Sequence, residues 1–258
     1  MNEGAENYAK AIYAIARRTG GPVSTNDLAE RLSVTPASVS AMSKKLADRG
    51  LVEHVPYRGV QLTDDGEKVA LEVLRHHRLL ELYLAEQLGV PWDRVHEEAE
   101  VLEHVLSEDL EARIAAKLGH PTHDPHGDPI PTAELLVEEG RTVPLDALET
   151  GESGRLTRVS DGDPEMLRYL TDIGIGLGDD VRVVERQPFD GPITVEVGGR
   201  RHVLGGRLVQ ALRIEGNTGP EGQVPLREFA QRANPGNTGP EGQVPLREFA
   251  QRANPAAE

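Results

Sequence analysis

The chain reads as a mainly α-helical protein ending in a small β-barrel, and three observations carry that reading. Residues 1–118 are built from stretches of helix formers broken only by short Gly/Pro turns. From Val143 the pattern switches to short runs of strand-forming residues between Gly-rich turns. Aromatics make up 3% of a chain that is 38% hydrophobic, so the cores are expected to be aliphatic. Four segments follow from this: 1–66, 67–142, 143–215 and a tail, 216–258.

Composition narrows the class. No run approaches the roughly 18 apolar residues of a membrane span. The N-terminus also lacks a basic region followed by an apolar one. A cytoplasmic location without membrane contact is the expectation. There is no cysteine, which removes disulfides, thiolate zinc sites and iron–sulfur clusters. The formal charge of −15 argues against nucleic acid as a partner until its distribution is considered. Residues 1–66 carry eight Lys/Arg against eight Asp/Glu, and within 31–63 five basic residues face two acidic ones. A locally basic end on an acidic chain is compatible with double-stranded DNA.

Taken in order, Tyr8 to Arg18 forms an amphipathic helix with Tyr8, Ile12 and Ile15 on one side, stopped by Gly20-Gly21-Pro22. Ser24 to Asp27 caps a short helix, Asp27 to Leu32. The turn Ser33-Val34-Thr35-Pro36 then leads into a third helix, Ala37 to Arg49, in the helix-turn-helix arrangement. Thr35, Ala37, Ser38, Ser40 and Ser43 are small enough for close approach to a major groove, and Lys44 can reach a phosphate. Leu51 to Val55 and Val60 to Thr63 form a hairpin, the wing of a winged helix, with Arg58 at its tip. A helical domain with merely solvated charges is the plainer alternative.

Residues 67–119 give two or three helices, Glu67 to Leu88 and then Asp93 to Leu118. Val69, Leu71, Leu74, Leu79, Leu80 and Leu84 supply apolar surface enough for a dimer. In Val95–Ser107, read as one helix, His96, Glu100, Glu103 and His104 fall on one stripe, with Glu100 four after His96, and Glu103 and His104 three and four after Glu100. His77 and Glu81 repeat the pairing upstream. Two helices each carrying imidazole and carboxylate form a candidate site for a divalent first-row metal, against the alternative of a solvated acidic face. The loop GHPTHDPHGDPIP, with His120, His123 and His126, lacks regular spacing and reads as a solvated connector.

Beyond Val143 come strands at 155–159, 180–185, 193–197, 201–204 and 211–214, interrupted by one helix, Pro164 to Thr171. The tail holds GNTGPEGQVPLREFAQRANP twice, at 216–235 and 236–255, and is expected to be disordered.

Winged helix, histidine-bearing helices, then barrel: this order resembles the diphtheria-toxin-repressor family of metal-dependent repressors. It is especially similar to the manganese-responsive branch with a C-terminal SH3-like domain. AENYAKAIYAIA, RHHRLLELYLAEQLG, VHEEAEVLEHVLS, DPHGDPIP and the stretch from DPEMLRYL to DGPITV carry the resemblance, over about residues 5–215. It implies a primary metal site of Asn7, Glu100, Glu103 and His104. It implies an ancillary site of His77, Glu81 and His96 with an acidic side chain from the barrel, Asp163 or its rival Glu165. Iron-responsive relatives have Cys where this chain has Glu100, so the carboxylate points to Mn²⁺, with Fe²⁺ the alternative. Manganese relatives carry Asp where Asn7 stands, and Lys10 takes the place of a second N-terminal ligand that some barrel-less relatives use; Glu6 is the substitute donor. The implied protein is a homodimeric repressor, not an enzyme, that metal activates to bind palindromic operators of metal-homeostasis genes.

Rival readings are a winged-helix regulator sensing an organic ligand, an iron-delivery accessory module acting through the barrel, and a metallohydrolase. The last is disfavoured because His96-Glu97-x-x-Glu100 lacks the second histidine of the zinc-protease helix.

Overall fold

The computed structural model describes residues 2–216; apart from Gly216, the duplicated tail lies outside the described residues. Among the described residues two compact units emerge, one formed by residues 2–140 with Arg158–Leu177, the other by Arg141–Thr157 with residues 178–216. The expected segment 1–66 and all but the last two residues of 67–142 therefore fall in a single unit.

That unit opens with α1 (Glu3–Thr19), capped by the Asn2 side chain and ended by Gly20 in the left-handed conformation. Next come α2 (Thr25–Arg31), capped by Ser24, and α3 (Pro36–Asp48), capped by Thr35 with Pro36 at its first position. Strands β1 (Val52–Val55) and β2 (Gly59–Leu62) pair antiparallel, and Val23 bridges to Val60. Ile12, Leu28, Val39, Leu46 and Val60 close one aliphatic core beneath them. The long α4 (Asp64–Leu88) follows, its first turn capped by Thr63 and its end set by Gly89.

Beyond α4 the chain departs from the sequence reading. Instead of one helix over 93–118 there are two, α5 (Val95–Leu102) and α6 (Glu108–Lys117), with a turn at Glu103–Val105. Ser107 accepts from the backbone of Leu110 and restarts the helix, a capping signal that ends the single stripe expected for His96 to His104. The apolar residues of α4 are also used within the chain: Leu71, Leu79, Leu80 and Leu84 are all buried. The exposed apolar side chains lie instead at Leu88, Val101, Val105 and Leu110.

The loop after α6 is not a solvated connector. His126 is fully buried, and Asp124 and Asp128 nearly so. Two arginines of α4 hold it. Arg75 donates to the Pro131 carbonyl at 2.6 Å, and Arg78 pairs with Asp128 at 2.9 Å and donates to the Pro129 carbonyl. Asp124 Oδ1 accepts from the backbone N–H of both His126 and Asp128. Helix α7 (Pro164–Ile173) completes the unit, and Thr171 in its last turn accepts from the Trp92 indole.

The second unit is one six-stranded sheet in the order β3-β8-β4-β5-β6-β7. Its strands are β3 (Thr142–Pro144), β4 (Ser153–Val159), β5 (Asp180–Arg186), β6 (Ile193–Val197), β7 (Arg200–Leu204) and β8 (Leu212–Gly216). A short helix α8 (Arg207–Ala211) precedes β8. Buried Val181, Val183, Val195, Leu212 and Ile214 supply the aliphatic interior.

One contact fixes α4 against the winged helix. A Cβ at Gly66 would fall 1.9 Å from the Leu51 carbonyl oxygen, so only glycine permits this backbone approach. Gly66→Ala is expected to cost about 1–3 kcal/mol, seen as a lower urea midpoint at an unchanged slope.

Candidate metal centre

Helix α4 delivers His77 and Glu81 one turn apart on its buried side, and α5 brings His96 opposite them. His77 Nε2 lies 3.0 Å from Glu81 Oε1 and 3.0 Å from His96 Nδ1. His96 Nδ1 stands 3.2 Å from Glu81 Oε1 and 3.3 Å from Asp161 Oδ2. These four donor atoms lie within 4.8 Å of one another. Two ligands on one first-row ion, with bonds of about 2.1 Å, stand about 3.0 Å apart at a right angle and about 3.4 Å at a tetrahedral one. The two imidazoles, two carboxylates and their spacings therefore suit a divalent cation.

The acidic partner is Asp161, not the expected Asp163 or Glu165. Asp163 caps α7, its carboxylate accepting from the backbone of Glu165 and Met166. Glu165 is exposed in the first helical turn.

A second acidic cluster adjoins the first. His77 Nδ1 approaches Glu103 Oε2 at 2.5 Å and lies 3.9 Å from Glu100 Oε1, so one imidazole faces both clusters. His104 leaves the turn toward α1, where its Nδ1 meets Glu6 Oε2 at 2.6 Å, and its Nε2 lies 3.4 Å from Glu103 Oε1. Asn7 Oδ1 and His104 Nε2 are both buried without a hydrogen-bond partner among the described residues. Such atoms are costly unless something binds them, and both are donor types a hard divalent ion accepts. The four expected primary residues thus do not form one closed group. Glu100 and Glu103 gather with His77, and both carboxylates accept from Lys10.

Charge is balanced pair by pair. Burial works to lower the His77 pKa, yet Glu103 and Glu81 outweigh it and hold the ring up at about 9. Hydrogen bonds to Asp161 and Glu81 raise His96 to about 10 despite burial. Burial would raise Glu81, but His77 and His96 bring it down to about 2. Glu100 falls below the usual carboxylate range, because Lys10 overcomes a burial effect of opposite sign.

Of the expected DNA-contacting residues, Thr35, Ala37, Ser38, Ser40 and Lys44 are exposed along α3, and Arg58 is exposed at the wing tip. Two hydroxyls already serve the helix: Thr35 accepts from Ser38 N, and Ser40 donates to the Pro36 carbonyl. Ser43 is a correction. At 4% exposure it shares the inward face of α3 with Val39 and Leu46, so its hydroxyl offers nothing to a groove. No described helix is long and apolar enough to cross a membrane.

A winged helix-turn-helix joined to helices that gather imidazoles and carboxylates defines a metal-dependent DNA-binding repressor. The chain belongs to the iron-dependent repressor family. Residues 1–60 match that family's N-terminal DNA-binding domain, 63–132 its metal-binding and dimerisation domain, and 143–216 the FeoA domain, the SH3-like module. The iron-dependent repressor IdeR of Mycobacterium tuberculosis is 32% identical over 223 residues, covering 81% of this chain and 96% of that protein. The diphtheria toxin repressor of Corynebacterium diphtheriae is 30% identical over 220 residues, covering 81% and 96%. A solved manganese-dependent transcriptional repressor in complex with manganese is 44% identical at a TM-score of 0.79, covering 83% of this chain and all of that one.

The carboxylates around them favour the protonated forms of His77 and His96, and an imidazolium cannot ligate, so binding of a divalent cation here should release protons. Affinity for the ion should rise with pH until about pH 10, as these rings lose their protons. Titration calorimetry in buffers of differing ionisation enthalpy measures the release, and a pH-independent isotherm would contradict it.

Proposed function

We propose that this chain is a manganese-activated repressor that binds palindromic operators of metal-homeostasis genes as a homodimer. It acts in the cytoplasm as a regulator and not as an enzyme. The observation that carries the reading is the closed set His77, Glu81, His96 and Asp161, all nitrogen and carboxylate donors. Glu100 stands where iron-responsive relatives have a thiolate, and hard oxygen donors favour Mn²⁺ over softer metals. Likeness at 44% identity to a manganese-dependent repressor supports the same ion, while the iron-dependent relatives keep Fe²⁺ as the second reading.

Bound at these groups, Mn²⁺ supplies positive charge that several elements share. Asn7 on α1, with its buried and unpartnered carbonyl oxygen, would be a ligand beside Glu6 and His104. Glu100 and Glu103 close it from α5, and His77 joins it to the ancillary set of Glu81, His96 and Asp161. The ligating residues thereby set the angle of α1, and so of the winged helix packed on it, against α4 and α5. Thr35, Ala37, Ser38, Ser40 and Lys44 then face the major groove, with Arg58 on a flanking phosphate. The exposed apolar residues Val101, Val105 and Leu110 form the dimer seam that sets the half-site spacing.

Metal and DNA favouring one arrangement must each tighten the other by the same factor, typically about 5–150-fold. A mobility shift on a palindromic operator should show that gain with Mn²⁺ over chelator, and equal affinity in both would sink the proposal. Glu103→Ala and His96→Ala should each abolish the gain while leaving the fold cooperative. Replacing Val101 and Val105 together by Asp should shift the sedimentation equilibrium to monomer and weaken operator binding with or without metal. An organic-ligand sensor would instead be indifferent to His96→Ala.

A further inference from the structure

Lys10 lies three residues after Asn7 on α1, and its ammonium reaches into the acidic cluster of α5. Nζ donates to Glu100 Oε1 at 2.6 Å and to Glu103 at 2.6 and 2.9 Å, through both carboxylate oxygens. The ammonium thus lies against three carboxylate oxygens, two of them the paired oxygens of Glu103 on one side of it. The Lys10 side chain is only 16% exposed and that of Glu103 is fully buried, so water screens this pair little. The same two carboxylates form, with His77, a group whose donor atoms lie within 4.8 Å of one another. Three donors of these types at that separation would ordinarily accept a divalent ion. A fixed ammonium in contact with two of them repels any second cation.

We propose that Lys10 is the resident cation of the Glu100/Glu103 cluster, an intramolecular competitor that sets the threshold for Mn²⁺ there. The ion enters only where the ammonium withdraws from at least one carboxylate. The chain thereby holds α1 on α5 through a salt bridge before any metal arrives, and it binds metal at this cluster more weakly than the donor set alone would. The proposal rests on the reading of these residues as metal ligands.

The test is equilibrium Mn²⁺ binding to the full chain, followed by the electron paramagnetic resonance signal of free aqueous Mn²⁺. Lys10→Gln removes the charge, Lys10→Met removes it while keeping the apolar stem, and Lys10→Arg keeps it. The first two should tighten the weaker class of Mn²⁺ sites at least tenfold or add an ion per chain, and Lys10→Arg should bind like the parent. Thermal unfolding supplies a second readout. Without metal, Lys10→Met should melt below the parent, because Glu103 loses its counter-charge, and saturating Mn²⁺ should close the gap. A lysine that merely supports the fold would weaken metal binding when replaced, the opposite sign. Isotherms of Lys10→Met and Lys10→Gln that match the parent or are weaker overturn the proposal, provided the parent binds Mn²⁺. If parent and variants alike bind none, the metal-site reading itself falls and takes this inference with it.

Discussion

Two carboxylates with no access to water, Glu81 and Glu103, impose the condition the helical unit is built to meet. A buried carboxylate is tolerated only when paired and hydrogen-bonded. His77 serves both, with one ring nitrogen toward each, and its place on the buried side of α4 is therefore fixed from two directions. The remaining partners arrive from separate segments: His96 from α5, Lys10 from α1, Asp161 from the stretch before α7. Each supplies charge opposite to what it meets, or a carboxylate that the imidazoles need. The candidate metal-binding groups and the buried charges that this unit must pair are thus the same side chains.

The loop after α6 extends this logic outward from the cluster. His126 donates through Nε2 to the Trp92 carbonyl at 2.7 Å, which leaves Nδ1 turned toward Glu81 Oε2, 3.9 Å away. Arg75 and Arg78, on the same helix as His77, reach the loop's carbonyls and carboxylates. Support for the ligand-bearing face of α4 therefore comes from a segment with no regular secondary structure, held by guanidinium forks that suit paired oxygens.

Much of the architecture was legible along the chain because its cues are local. Caps at Ser24, Thr35 and Thr63, stops at Gly20 and Gly89, and the His77/Glu81 spacing each concern residues within four positions of one another. What escaped was set by pairing across long separations. Lys10 meets Glu100 and Glu103 from 90 and 93 positions away, so its charge was visible and its partners were not. The burial of His126 depends on arginines about fifty positions upstream, and nothing in the loop's own composition announces them. Two misreadings did have a local remedy. An aspartate before Pro164 is a helix cap by position, which leaves Asp161 as the side chain available to the imidazoles. Ser107, followed by Glu108 and Asp109, likewise marks a new helix start and not the continuation of an old one.

The close approach of Gly66 to the Leu51 carbonyl has a mechanical consequence. The strand that follows the DNA-reading helix abuts the first turn of α4 with no side chain between them, so that junction cannot flex without breaking backbone contact. The helix that bears His77 and Glu81 then works as a stiff crank. A rotation of α4 at His77, eleven residues downstream of the glycine, would reach this junction along one unbroken helix. Sensitivity to a single ion's worth of rearrangement is what such stiffness makes available.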